Sequence, residues 1–73
     1  MTKTIDFSEF GAEMLRDLTP QDVLHVSNVP PARVPSVQSQ LSRWRRMNAQ
    51  FNYKSNSAKI EDSENYEISI FVL

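Results

Sequence analysis

Cysteine is absent and glycine occurs once. The first absence removes disulfide staples and cysteine-held zinc. The second removes the glycine-rich loops that cradle phosphates. A single histidine cannot cage a metal, and no HExxH helix, calcium loop or Ser/His/Asp elbow is written in the chain. His25 has no nucleophile or acid at a recognisable spacing, so it is expected to be solvated or simply hydrogen-bonded. No apolar run approaches the roughly 18 residues of a membrane span. The opening MTKTIDFSEF also lacks the apolar stretch of a secretory signal. The chain is therefore expected to be no enzyme, to use no cofactor or metal, and to work away from membranes.

What is present is one small domain of 73 residues, with a thin stability margin. A hydrophobic fraction of 40% is enough to build a core and argues against disorder. The net charge of −1 hides a segregated pattern. Residues 1–22 hold Lys3 and Arg16 against Asp6, Glu9, Glu13, Asp17 and Asp22. Residues 23–59 hold Arg33, Arg43, Arg45, Arg46, Lys54 and Lys59 and no carboxylate. Residues 60–73 hold Glu61, Asp62, Glu64 and Glu67. One positive surface is possible on a molecule whose total charge is slightly negative.

Met1 to Ile5 reads as a loose arm before a single domain over residues 6–73. Asp6 with Glu9 has capping-box spacing, and Phe7, Phe10, Met14, Leu15 and Leu18 recur as one helix face. Thr19-Pro20 with Asp22 is a second helix start, with Val23, Leu24 and Val26 inward and Ser27-Asn28 at the end. Pro30, Pro31 and Pro35 forbid a helix running straight through. The third helix is expected to start at Pro35, or alternatively at Pro31. Val34, Val37, Leu41 and Trp44 form its inward stripe, and Asn48 closes it.

Beyond Ala49 the period falls to two. Phe51 and Tyr53 alternate with polar neighbours, Lys59 to Glu61 suits a short strand, and Tyr66, Ile68, Ile70 and Val72 mark a longer one. Ser55-Asn56-Ser57 and Asp62 to Asn65 read as turns. The expected fold is α+β: a small three-helix, helix-turn-helix-like core with a C-terminal antiparallel β-hairpin, like a winged helix.

Binding residues follow from charge and period. Ser36, Ser39, Gln40 and Arg43 face outward on the third helix, joined by Arg33, Arg45 and Arg46, with Lys54 and Lys59 from the strands. Arginine suits phosphates or carboxylates, and Gln and Ser suit base edges. Cations near a helix C-terminus also complement its dipole, which is the structural alternative for the arginine cluster. Glu9 and Glu13 on the first helix are expected to meet a basic segment of a partner. A pI of about 5.7 is low for a simple duplex binder.

Taken whole, from MTKTIDFSEF through LSRWRRMNAQF to ISIFVL, the chain resembles the small host-takeover regulators that lytic Xanthomonas phages direct at host RNA polymerase. Length and overall sequence carry the likeness, and no short motif does. The resemblance implies a monomer acting in the host bacterial cytoplasm. It implies binding to the N-terminal region of the polymerase β′ subunit, beside the β flap and the RNA exit channel, near nascent RNA or DNA. It implies inhibition of initiation by sigma displacement, and prevention of termination. The other reading of the residues is a sequence-specific helix-turn-helix repressor, which would shift naked DNA and read two half-sites as a dimer.

Overall fold

The stretch Val23–Val29 is a strand, not the second helix expected of it. Its burial alternates: Leu24 and Val26 are buried while Val23, His25 and Ser27 are half-buried. What precedes it is a turn. The amide of Asp22 donates to the carbonyl of Thr19 at 3.0 Å, Pro20 is second of the four residues, and Gln21 has φ 75°. That is the pattern of a type II turn. Asp22 ties the turn down by accepting from the Thr19 amide at 2.9 Å and its hydroxyl at 3.0 Å. Thr19-Pro20 thus starts a turn where it reads as starting a helix.

In the computed structural model, which describes residues 1–73, four strands make one mixed sheet. They are β1 (Thr2–Asp6), β2 (Val23–Val29), β3 (Tyr53–Lys59) and β4 (Tyr66–Val72). Their order across the sheet is β1-β2-β4-β3. β1 runs parallel to β2, and β4 is antiparallel to both its neighbours. Thr2–Asp6, expected as a loose arm, is therefore an edge strand paired from Thr2↔Val23 to Asp6↔Ser27.

A parallel pair needs a long crossover, and residues 7–22 supply it. They do not form the continuous first helix that the apolar spacing suggests. A 3-10 turn over Phe7–Glu9 ends at Phe10, whose backbone is extended. Gly11 is extended too, and α1 (Ala12–Arg16) begins after it. The Asp6 carboxylate caps the Phe7–Glu9 turn through the Ser8 amide at 2.9 Å. Asp6 therefore caps, but through Ser8 and without a return bond from Glu9, and the cap serves one turn.

The long helix α2 (Val34–Met47) follows a 3-10 turn over Pro31–Arg33. The helical path thus starts at Pro31, while Pro35 falls in the first turn of α2, where a missing N–H costs nothing. Val37 and Leu41 are buried, and Val34 and Trp44 are half-buried against the core. Asn48 ends the helix, its amide and side-chain nitrogen both donating to the Trp44 carbonyl.

The helix-turn-helix-like core is thus overturned. There is one helix of substance, and it packs on a sheet. Ile5, Leu24, Val26, Ile68 and Ile70 from the strands meet Leu15, Val37 and Leu41 from the helices. Each such buried aliphatic side chain contributes about 1.5–3 kcal/mol relative to exposure. Strands β3 and β4 pair as a hairpin, but as half of the larger sheet. Ser55-Asn56-Ser57, expected as a turn, lies in the middle of β3. Of the strand expected over Lys59–Glu61 only Lys59 is in β3, and Ile60 and Glu61 lead into the turn that follows.

Candidate functional site

Arg33, Arg43, Arg45 and Arg46 are all exposed. The molecule contains one ion pair, between the Met1 amino group and Asp22 at 3.1 Å. Every arginine and lysine side chain is therefore without a carboxylate partner within salt-bridge distance, including those on the carboxylate-free α2. The acids at either end of the chain do not neutralise the positive middle.

Two open grooves share Trp44 as a wall. The first, about 310 Å³, lies between the start of α1 and one flank of α2. It is lined by Ala12, Ser36, Gln40, Arg43, Trp44 and Met47. Ser36, Gln40, Arg43 and Met47 are spaced four, three and four, which is one stripe of a helix. The second, about 480 Å³, runs from Arg16 and Leu18 past Trp44 to Asn48, Phe51 and Val72. Neither lining contains an acid. The linings combine the apolar side chains of Trp44, Met47 and Phe51 with the guanidinium of Arg43 in one groove and that of Arg16 in the other. A guanidinium beside an apolar wall suits a carboxylate or phosphate carried on an apolar or planar group.

No family model, curated protein or solved structure matches the chain. The chemistry of the grooves must be decided from their own geometry.

Of the residues expected at a binding surface, Ser36, Gln40 and Arg43 come together in the first groove. Arg33 ends the Pro31–Arg33 turn at the opposite end of α2 from Arg45 and Arg46. Ser39 is exposed on α2 and lines neither groove. Lys54 and Lys59 lie on β3, exposed and away from both linings. Glu9 belongs to the Phe7–Glu9 turn and Glu13 to the first turn of α1, both exposed. The residues expected to share one basic face are thus spread over α2, the turn before it and strand β3.

Arg16, Ala12 and Met47 were missed as groove residues. Met47 carries a usable signal, since it continues the stripe of Ser36, Gln40 and Arg43 at helical spacing. Arg16 carries none, because its approach to Trp44 depends on how α1 returns over the sheet.

The titrating groups with displaced pKa values lie elsewhere. Asp6 is lowered from 3.8 to about 2, chiefly by the Asn28 side chain and then by the Ser8 hydroxyl and amide. Asp22 is also lowered, by the Thr19 amide first, then the Met1 amino group and the Thr19 hydroxyl. Both hold turns in place. His25 Nδ1 lies 2.8 Å from Ser69 Oγ across the β2–β4 pair, on the face away from the core. No group of three or more His, Asp or Glu side chains is placed to hold a metal ion, and no helix is long and apolar enough to cross a membrane.

Proposed function

We propose that this chain is a phage-encoded regulator that binds host bacterial RNA polymerase through the α2 surface centred on Arg43 and Trp44. The carrying observation is the unneutralised charge. Four arginines on or beside α2 are exposed with no acid near enough to pair. Arg43 lines a groove, part apolar and part polar, that has no carboxylate. A charged helix face kept free of internal partners is available to an acidic protein surface. The overall likeness to polymerase-directed phage regulators names the partner, with the β′ N-terminal region and the β flap as its expected contacts.

A binder of this kind needs no catalysis. By holding the sigma-free form of the enzyme more tightly than the sigma-bound form, it shifts the equilibrium and lowers initiation. Held beside the exit channel, it opposes the rearrangement that ends transcription. The repressor reading rested on a helix-turn-helix, and α2 is not part of one. It is not carried forward.

The test is binding to purified host polymerase, with initiation and read-through assays on the same preparations. Stoichiometric binding that Arg43→Glu with Arg46→Glu weakens at least about tenfold supports the reading. Unchanged binding by that double variant, or a chain that ignores polymerase and shifts naked DNA, overturns it.

A further inference from the structure

β3 is an edge strand, exposed along its length beyond Tyr53. It pairs with β4 through seven consecutive residues without a bulge, from Tyr53↔Val72 to Lys59↔Tyr66. After Tyr53 every one of its side chains is exposed. It contains no proline, glycine or acid, and its sequence is YKSNSAK.

The flanking hydrogen bonds tell which backbone groups are free. The Leu73 amide donates to Asn52 and the Ile60 amide to Asn65. Bonded pairs alternate along an antiparallel ladder, so the even-numbered residues from Asn52 to Ile60 use their groups on β4. Tyr53, Ser55, Ser57 and Lys59 then turn their N–H and C=O groups outward. These are the groups that a further strand takes up when an extended segment adds to a sheet.

Charge selects the occupant. Lys54 and Lys59 are five residues apart, so they project from opposite faces of the strand. Neither has an acidic partner. Lysine on an edge opposes pairing with another copy of a positive strand and favours a negative one. We infer that β3 accepts an extended acidic segment of a partner protein as a fifth strand, with two carboxylates five positions apart, one against each lysine. The inference uses none of the α2 residues and stands or falls separately from the polymerase reading.

The experiment uses the whole chain and a labelled peptide of alternating threonine and valine with two glutamates five positions apart. A matched peptide has lysines in place of the glutamates. The expected result is saturable binding of the acidic peptide, weakened at least roughly fivefold in the lysine version. The amides of Ser55, Ser57 and Lys59 should become protected from exchange. Lys54→Glu with Lys59→Glu should invert the preference. Ser57→Pro removes an outward N–H that β4 does not use, a substitution tolerated on an edge. It should abolish binding while the amide spectrum of the rest of the sheet persists. Should that variant fail to fold, the double lysine variant decides. Equal binding of the two peptides, binding of neither, undiminished binding by a folded Ser57→Pro, or self-pairing of the chain along β3 in sedimentation would each overturn the inference.

Discussion

The side-chain nitrogen of Asn28 donates to Asp6 Oδ1 at 2.7 Å, joining the end of β1 to the end of β2. Asn28 has φ 61° and lies where the β2–β4 register shifts between Val26 and Val29. Asparagine tolerates that backbone conformation better than other side chains. Asp6 meanwhile caps the next turn through Ser8. Two neighbouring irregularities are thus held by one carboxylate.

That carboxylate should set part of the acid limit. The folded pKa of Asp6 is about 2 against an ordinary 3.8, and Asp22 is displaced in the same direction. A lowered pKa contributes stability that is full above the unfolded value and is lost as pH falls through the folded one. Urea midpoints measured from pH 5 down to pH 2 should therefore hold steady and then fall below about pH 4. Asp6→Asn should be less stable at pH 5 and show a shallower acid decline. An identical decline in that variant would remove Asp6 from the account.

Gln21 occupies the turn position that requires positive φ, at 75°. Glycine adopts it without the side-chain penalty. Gln21→Gly should raise stability by about 0.5–1 kcal/mol after the entropic cost of glycine. Gln21→Val should lower it by about 1–2 kcal/mol. Thermal melts of the two variants beside the parent give the comparison. The same ranking in both would contradict the turn assignment.

Leu41 is fully buried beneath α2. Leu41→Ala removes that packing and leaves a cavity, at a cost of about 2–5 kcal/mol. In a domain of this size that is a large part of the margin. Denaturant titration should show a much earlier transition, or none. A loss under 1 kcal/mol would mean that α2 is not seated on the sheet as described.

Arg43 and Arg46 should behave oppositely. Both are exposed and unpaired, so reversing Arg43 to Glu should change stability by about 0.5 kcal/mol or less, and reversing Arg46, in the last turn of α2, should cost about 0.3–1 kcal/mol through the helix dipole. Any loss of polymerase binding would then be a loss of contact rather than of fold. A double variant that loses more than these two costs together would show that the guanidiniums serve the structure.

The sequence marked α2 well because its stripe runs through four apolar residues over three turns, and only a helix satisfies that spacing. It marked β4 well for the converse reason, since Tyr66, Ile68, Ile70 and Val72 alternate. β2 was misread because VLHVSNV is too short to separate the two periods, and Thr19-Pro20 ahead of it fits a helix start as readily as a type II turn. β1 was illegible: Thr2–Asp6 has one buried residue, Ile5, and becomes a strand only because β2 lies beside it. Burial by a distant segment leaves no local trace. Charge picked out the arginines and lysines, but β3 was read as a turn and strand fragment, so the lysines could not be separated from the arginines.

The place of β4 has a consequence for how the molecule comes into being. It is the last of the four strands to emerge from the ribosome, yet it is the one that both β2 and β3 require as a neighbour. Until it arrives, Leu24 and Val26 have a neighbouring strand on the β1 side only, and β3 has nothing to pair with. Until β4 is made the sheet is unfinished and open to cellular proteases and chaperones. It should become resistant abruptly, when Ile68 and Ile70 slot between strands made long before them.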